Sequence, residues 1–180
     1  MALKATIFKA TVQVADMDRH YYDELQLTLA RHPSETDERM MVRLLAFILH
    51  ASEQLQFTRG ISTEDEPDLW QKSLSGEIEL WVDLGLPDES RIRKACSRAR
   101  EARLYTYGDR AMPPWWEKMQ DKVRRFNNLE VIHLPADAVS AMAGLAQKSM
   151  ALQCTIEDGQ IWLGDEQTTV SILPRKLYPD

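Results

Sequence analysis

Two carboxylates stand inside apolar, strand-like sequence in the middle of this chain. Asp68 follows Pro67 at the start of one short segment, and Asp83 lies late in the apolar run 78–85. A carboxylate in a buried strand is costly unless it is neutralised or coordinates a metal ion. The pattern therefore indicates a metal site. The alternatives are a buried ion pair for Asp83, with Arg91 or Lys94, and a turn position after proline for Asp68.

Glu38 is a third candidate metal ligand, placed by a predicted helix over 35–54. Ser34 and Asp37 form a capping-box pattern directly before the apolar run of this helix. Glu38 then falls at the edge of the apolar arc, where its carboxylate would point toward the sheet, while Arg43 falls on the opposite, polar arc. The alternative for Glu38 is a solvated first-turn acid that the helix dipole favours.

The composition is that of an ordinary globular protein with an acidic net charge. Of the 180 residues 44% are hydrophobic and 28% are charged, and the formal net charge is −6. Proteins that coat nucleic acids are usually basic, so this charge argues against that class but leaves a locally basic site open. Cys96 and Cys154 lie far apart without zinc-ligand spacing, which indicates reduced thiols and a cytoplasmic location. No apolar run approaches the roughly 20 residues of a membrane span, so we expect no membrane partner.

Hydrophobic periodicity predicts an α/β (α+β) fold of one domain, 1–180. The strand-helix-strand steps at 78–107 and 104–134 imply a mixed, partly parallel sheet flanked by helices, and the last strands imply an antiparallel ending. The run 78–85 is predicted to be a central strand covered on both faces. The other predicted elements are strands at 3–14, 22–30, 55–60, 68–73, 104–107 and 129–134, a helix from Pro87 whose packing stripe extends to Ala102, a helix from Pro113, a small helix capped by Asp137 that ends near 147, and a C-terminal hairpin at Asp158-Gly159 followed by the strand TVSIL.

The middle of the chain resembles a known nuclease superfamily. The predicted order of helix, three strands, helix and strand, with Pro67-Asp68 followed by Asp83, is similar to the αβββαβ core of the PD-(D/E)XK, restriction-endonuclease-like proteins. Phrases across nearly the whole chain resemble the YaeQ family of small bacterial proteins: ATIFKATVQVAD, ARHPSETDERMM, LQFTRG, EPDLW, WVDLGLPDESRIRKAC and IEDGQIWL. The family resemblance implies a variant of the restriction-endonuclease-like fold, with a core over about 35–134 and an added antiparallel layer formed by strands at 3–30 and 150–173. It leaves the activity open.

The superfamily resemblance implies a Mg²⁺ or Mn²⁺ site that hydrolyses the phosphodiester bonds of a nucleic acid. Asp68 and Asp83 would be the catalytic metal ligands, and Glu38 would be the helix-borne third ligand. In such a site the metal ion is held by carboxylate oxygens, polarises a phosphate and helps to form hydroxide from water.

The chain departs from the superfamily pattern at the lysine. Gly85 stands two residues after Asp83, where the motif has its lysine. In some members the lysine has moved to the next helix, which makes Lys94 the candidate activator of water. Arg91 and Arg98 share its helical stripe and would bind the substrate. If Lys94 does not reach the metal, the alternative is a non-catalytic binding or regulatory protein that retains the nuclease-like fold.

Other residues with functional side chains have structural interpretations that we favour. The four histidines share no ligand spacing, which is typical of surface or packing positions. Trp115-Trp116 stand at a helix start, where core anchoring is favoured over stacking on bases. The basic residues between 91 and 103 either meet phosphates or form a solvated helix face.

Overall fold

The computed structural model describes residues 4–58 and 65–180. The chain divides into two compact units: unit 1 is Met1–Leu44 with Pro135–Pro174, and unit 2 is Leu45–Leu134 with Arg175–Asp180. None of the helices formed by the described residues is long and apolar enough to cross a membrane. In chain order the elements are β1 (Thr6–Asp16), β2 (Tyr21–Arg31), α1 (Asp37–His50), β3 (Leu55–Phe57), β4 (Leu69–Lys72), β5 (Ile78–Leu84), α2 (Glu89–Arg98), β6 (Ala99–Thr106), α3 (Met112–Val123), β7 (Leu129–His133), α4 (Ala136–Ala143), β8 (Ser149–Glu157), β9 (Gln160–Gly164), β10 (Thr169–Ile172) and β11 (Arg175–Tyr178).

Unit 1 contains a five-stranded sheet in the order β10-β9-β8-β1-β2. Alternation along β1 turns Phe8, Ala10, Val12 and Val14 to one buried face, as the sequence predicts. The expectation of a wholly antiparallel layer is wrong, because β1 and β8 pair in parallel. These two strands are far apart in the chain, so no hairpin turn imposes an antiparallel direction on them.

Unit 2 contains a six-stranded sheet in the order β11-β7-β6-β5-β4-β3. Strands β5, β6 and β7 run parallel, and the other neighbours pair antiparallel. Every residue of β5 from Leu80 to Leu84 is buried, which confirms a central strand covered on both faces. The mixed α+β class and the chain order α1, β3, β4, β5, α2, β6 are also as predicted.

The boundary between α2 and β6 differs from the prediction. Ala99 and Ala102, expected on the packing stripe of the helix, are residues of β6, which starts earlier than 104. Ala99 lies beside Ile78 and Ala102 beside Trp81 in the parallel β5–β6 pair. The pairing of buried strands has overridden the high helix propensity of alanine.

The N-terminus of α1 is also capped by a different residue from the one predicted. Thr36 Oγ1 accepts a hydrogen bond from the Arg39 N–H at 3.1 Å, whereas the Ser34 hydroxyl bonds to His32 Nδ1 at 2.8 Å. The N-cap must directly precede the first helical residue, and only Thr36 stands next to Asp37.

The remaining differences lie mostly at the ends of elements. Helix α1 ends at His50 and α4 ends at Ala143, both earlier than predicted. Asp137 lies in the first turn of α4 and is not its cap. Strand β11 was not predicted, because Arg175–Tyr178 is short and lacks hydrophobic alternation. The predicted strand at 55–60 ends at Phe57, and its last two positions lie outside the described residues.

Candidate functional site

The β4–β5 pair brings Asp68 and Asp83 to the same end of two adjacent antiparallel strands, as the sequence predicts. Asp68 directly precedes β4, and Asp83 is the next-to-last residue of β5. The register pairs Leu69 with Val82, so one step further along it sets Asp68 opposite Asp83. Both residues are buried, with 5% and 6% of their surface exposed. Each carboxylate therefore needs a partner.

The partner of Asp83 is Arg91. The Arg91 Nε–H donates to Asp83 Oδ2 at 2.9 Å, and Arg91 Nη2 donates to Asp83 Oδ1 at 3.0 Å. The Trp81 indole N–H adds a third hydrogen bond, to Oδ2 at 2.9 Å. Bidentate pairs between a guanidinium and a carboxylate are among the strongest polar contacts in proteins. The carboxylate is thus neutralised by the ion pair that the sequence offers as an alternative to metal ligation.

Helix α2 and the segment before Pro67 both fix the position of Arg91. Asp88 is the N-cap of α2 and accepts the Arg91 backbone N–H at 2.9 Å. This hydrogen bond, with that from the Ser90 hydroxyl, lowers the pKa of Asp88. Arg91 Nη2 also donates to the Glu66 carbonyl at 2.7 Å, and the guanidinium carbon lies 5.4 Å from the centroid of the Trp81 ring. One side chain therefore ties α2 to β5 and to the chain that enters β4.

Asp68 hydrogen-bonds to the backbone at the end of β5. Its Oδ2 accepts the Leu84 backbone N–H at 3.0 Å, and its own N–H donates to the Val82 carbonyl at 3.0 Å. The carboxylate thus satisfies a backbone donor where the regular β4–β5 pairing stops.

Lys94 and Arg98 both approach Asp65. Lys94 Nζ lies 3.6 Å from Asp65 Oδ1, and Arg98 Nη1 lies 3.7 Å from the same oxygen. Asp65 is 80% exposed, so water and salt screen these pairs strongly.

Lys94 also borders a cavity of about 550 Å³. The cavity is lined by Pro87, Asp88, Ser90, Arg91 and Lys94.

Glu38 lies in the first turn of α1 and is exposed, the arrangement expected of a solvated acid at a helix N-terminus. It belongs to unit 1, whereas Asp68 and Asp83 belong to unit 2. Within residues 4–58 and 65–180, no group of three or more His, Cys, Asp or Glu residues could hold a metal ion.

The backbone at Gly85 explains why no lysine stands there. Gly85 has φ +101°, a conformation in which any side chain is strained, although an added Cβ would meet no atom within 4 Å. The Gly85 N–H donates to the Tyr105 carbonyl at 2.9 Å and continues the pairing with β6. A lysine at this position would strain the end of β5.

Trp115, Trp116 and His133 occupy packing positions, and His20 and His32 are exposed, so the surface or packing positions predicted for them are confirmed. Trp115 and Trp116 are half-buried against the core of unit 2, and the Trp115 indole donates to the Pro87 carbonyl at 2.8 Å. His133 is buried, with Nδ1 2.8 Å from the Thr106 hydroxyl and Nε2 2.9 Å from Asp109 Oδ1.

Arg43, expected on the polar arc of α1, is also buried. Its guanidinium donates to both carboxylate oxygens of Glu35, at 2.8 and 3.2 Å. The ion pair makes its burial possible, and periodicity cannot show such a pair.

Sequence reasoning missed two residues of the site, Trp81 and Asp65. The signal for Trp81 was present, because it stands two residues before Asp83 on the same face of β5. Asp65 lies in an acidic run before Pro67, and nothing in that run indicates which acid approaches Lys94.

A family model described as YaeQ protein matches residues 1–174 of this chain. A relative from Escherichia coli strain K12, called Uncharacterized protein YaeQ, is 51% identical over 172 residues, which cover 96% of this chain and 95% of the relative. A relative of the same description from Salmonella typhi is 52% identical over 172 residues, which again cover 96% of this chain and 95% of the relative.

Two crystal structures have the same fold as this chain. The YaeQ protein from Xanthomonas axonopodis pv. citri superposes with a TM-score of 0.94 at 47% identity and covers 98% of this chain and 99% of that one. The YaeQ protein from Pseudomonas syringae superposes with a TM-score of 0.93 at 32% identity and covers 98% of this chain and 97% of that one.

Proposed function

This chain belongs to the YaeQ family, and we propose that it is a non-catalytic binding protein that takes phosphate groups of a nucleic acid beside α2. The observation that carries the proposal is the pairing of Asp83 with Arg91. A metal ion at Asp83 would have to displace a bidentate guanidinium and a tryptophan N–H, each within 3.0 Å of the carboxylate. A hydrolase would need this carboxylate for its metal ion.

The cavity beside α2 supports the choice of an anionic ligand. Arg91 and Lys94 line it together with Asp88, whose Oδ1 already accepts hydrogen bonds from the Ser90 hydroxyl and the Arg91 N–H. Arginine and lysine are the usual partners of phosphate in proteins. The pair between Lys94 and Asp65 is long and screened, so a phosphate can take the place of Asp65 at little cost. Because the net charge is −6, binding depends on this local site and not on the whole surface.

A second candidate function is a Mg²⁺- or Mn²⁺-dependent phosphodiesterase of the PD-(D/E)XK type. The observation that favours it is the placement of two buried acids, Asp68 and Asp83, opposite each other at one end of the β4–β5 pair. The chain order αβββαβ and the Pro67-Asp68 dipeptide support the same superfamily. Asp68 and Asp83 would then hold the metal and Lys94 would activate water. This function requires Arg91 to release Asp83.

Calorimetric titration separates the two candidates. The binding protein is expected to give the same heat with Mn²⁺ in the wild type and in Asp83→Asn. It is expected to bind a single-stranded oligonucleotide of about 16 nucleotides without cleaving it. Lys94→Ala should weaken this binding and reduce the salt slope by roughly 0.7, the value for one lost phosphate contact on a single strand. Lys122→Ala is the matched control, because Lys122 is an exposed lysine of α3 that does not line the cavity.

Two results would contradict the binding protein. One is Mn²⁺ binding that disappears in Asp83→Asn together with cleavage of the oligonucleotide, which would establish the phosphodiesterase. The other is equal oligonucleotide affinity in the wild type and in Lys94→Ala, which would remove the cavity as the binding site.

A further inference from the structure

Strand β2 is the one long edge strand that the described residues form. Of the four strands that end the two sheets, β3 has three residues, β10 and β11 have four each, and β2 has eleven. Proteins usually protect a sheet edge by keeping it short or by placing lysine, proline or a bulge in it. Strand β2 contains no lysine, proline or glycine, and it pairs with β1 at all eleven positions without a shift of register. This edge therefore lacks the usual protection against a further strand.

Alternate residues of β2 turn their backbone N–H and carbonyl groups away from β1. The Lys9 N–H donates to the Lys148 carbonyl beside β8, and the Met17 N–H donates to the Ile156 carbonyl of β8. The odd-numbered residues of β1 therefore hydrogen-bond toward β8, and their partners in β2 are the even-numbered residues. The outward backbone groups of β2 are those of Tyr22, Glu24, Gln26, Thr28 and Ala30.

Two hydrogen bonds from side chains confirm this direction. Arg43 Nη2 donates to the Ala30 carbonyl at 3.1 Å, and the Glu24 N–H donates to Asp23 Oδ1 at 2.8 Å. Both backbone groups are therefore directed away from β1. No other strand formed by residues 4–58 and 65–180 pairs with this side of β2, and all five outward residues are exposed. A row of main-chain donors and acceptors thus faces outward, which is the surface that strand addition uses.

The distribution of charge along β2 selects a second copy of this strand in antiparallel orientation. Asp23 and Glu24 stand near its start and Arg31 stands at its end, while residues 25–30 carry no charge. A parallel copy in register would place each of these charges beside the same charge, which is destabilising. An antiparallel copy that pairs all eleven residues has its two-fold axis at Gln26 and brings the acidic end of one strand to the basic end of the other.

This register also matches the side chains on both faces of the sheet. On the exposed face Glu24 lies opposite the Thr28 hydroxyl of the second copy, and Gln26 lies opposite its own equivalent, so both pairs can hydrogen-bond. On the core side Leu25, which is half-buried, lies opposite Leu27 and extends the apolar layer. No like charges stand opposite each other.

The two ends of the strand fit the same arrangement. Tyr21 lies opposite Arg31 of the second copy, and Asp23 is the diagonal neighbour of that arginine, within reach of a long side chain. Arg31 already pairs with Asp37 and lies over the Phe8 ring. The pair with Asp37 is partly solvated, so Arg31 can serve both acids.

We propose that this chain forms a symmetric dimer through β2, in which the five-stranded sheets of two copies join into one continuous sheet. The outward residues of both copies form about ten main-chain hydrogen bonds, the number found in a typical protein–protein interface. One strand pair buries less than the roughly 1,600 Å² of a standard interface, so the association is weak and depends on concentration. The interface uses none of the residues that line the cavity beside α2.

Sedimentation velocity and hydrogen exchange of the full chain test the proposal between about 10 μM and about 1 mM. The average mass is expected to rise from that of one chain toward that of two. With a Kd near 100 μM, the backbone N–H groups of Gln26 and Thr28 should exchange about fourfold more slowly at the higher concentration. The Leu27 N–H is the internal control, because it points toward β1 and its exchange should not change with concentration.

Opposite charges at Gln26 test the two-fold register. Gln26→Lys and Gln26→Glu each place like charges opposite each other and should weaken association about fivefold to tenfold. An equimolar mixture of the two variants should restore it, because the lysine of one copy then faces the glutamate of the other. Gln153→Lys is the matched control. Gln153 is exposed on the same face but lies on β8, away from the edge, so the affinity should stay unchanged.

Three outcomes would overturn the proposal. The first is the mass of a single chain at every concentration up to about 1 mM. The second is a dimer whose affinity is the same in Gln26→Lys as in the wild type, which would place the interface elsewhere. The third is a mixture of the two Gln26 variants that associates no better than either alone, which would exclude the two-fold register. Gln26 is exposed at a sheet edge, so both variants should fold, and circular dichroism verifies this.

Discussion

Replacing Arg91 with alanine removes the guanidinium that neutralises Asp83 and tests whether this ion pair holds α2 against β5. The Asp83 side chain is 9% exposed and that of Arg91 is 23% exposed. Removing one partner of a buried ion pair typically costs about 3–5 kcal/mol. Asp83 keeps its hydrogen bond from Trp81, and Arg91 is partly solvated, so we expect the lower limit of about 3 kcal/mol.

Urea unfolding is the appropriate assay. With a slope of about 2 kcal/mol per molar urea, a loss of 3 kcal/mol lowers the midpoint by about 1.5 M. Arg93→Ala is the matched control. Arg93 lies on the same helix, is 57% exposed and pairs with Glu89, so its loss should change the unfolding free energy by less than about 1 kcal/mol.

A double-mutant cycle isolates the pair itself. Asp83→Asn removes the charge and keeps an acceptor for the Trp81 indole. In that background Arg91→Ala should cost much less than in the wild type, with a coupling energy of about 2 kcal/mol. A coupling energy below about 0.5 kcal/mol would refute the reasoning, because Asp83 would then not depend on Arg91 for its burial.

Three further predictions concern the cap of α2, the buried pair of unit 1 and a thiol. Asp88→Ala should lower the unfolding free energy by about 1 kcal/mol through loss of the N-cap, measured by thermal unfolding with Ser90→Ala as a milder control. Since the folded-state pKa of Asp88 is lowered from 3.8, its contribution is present above that value and should disappear as the pH falls through the folded pKa. Glu35→Ala leaves the buried guanidinium of Arg43 without its carboxylate and should cost about 3–5 kcal/mol in urea unfolding, and a loss under about 1 kcal/mol would contradict this. Burial raises the pKa of the Cys96 thiol to about 11, so the folded protein should react with iodoacetamide at pH 8 much more slowly than the urea-unfolded chain, with Cys96→Ser identifying the signal by mass spectrometry.

Those parts of the fold that depend on local periodicity were predictable. The alternation Phe8, Ala10, Val12, Val14 identifies the buried face of β1, and the apolar run 78–85 identifies the central strand. Period-2 alternation is a property of the strand backbone itself, so it can be recognised before the partner strands are known. The short turn between their segments predicts that Asp68 and Asp83 lie on adjacent antiparallel strands, and the structure has them opposite each other at one end of the β4–β5 pair.

Long-range pairing was not predictable from such patterns. Ala99 and Ala102 have the propensity of helix residues and become strand residues because β5 lies beside them. The parallel pairing of β1 with β8 joins segments more than a hundred residues apart, and no local signal sets its direction.

The candidate site shows the same division. The sequence by itself determined which residue types are available: two acids in strands, a cationic helix after them and a glycine where a lysine was expected. Only the tertiary structure decided that Arg91 pairs with Asp83, that Lys94 approaches Asp65 and that Gly85 adopts a positive φ. The physical reason is that the strength of a charge pair depends on the distance and burial of both partners, and folding fixes these only when helix and strand pack together.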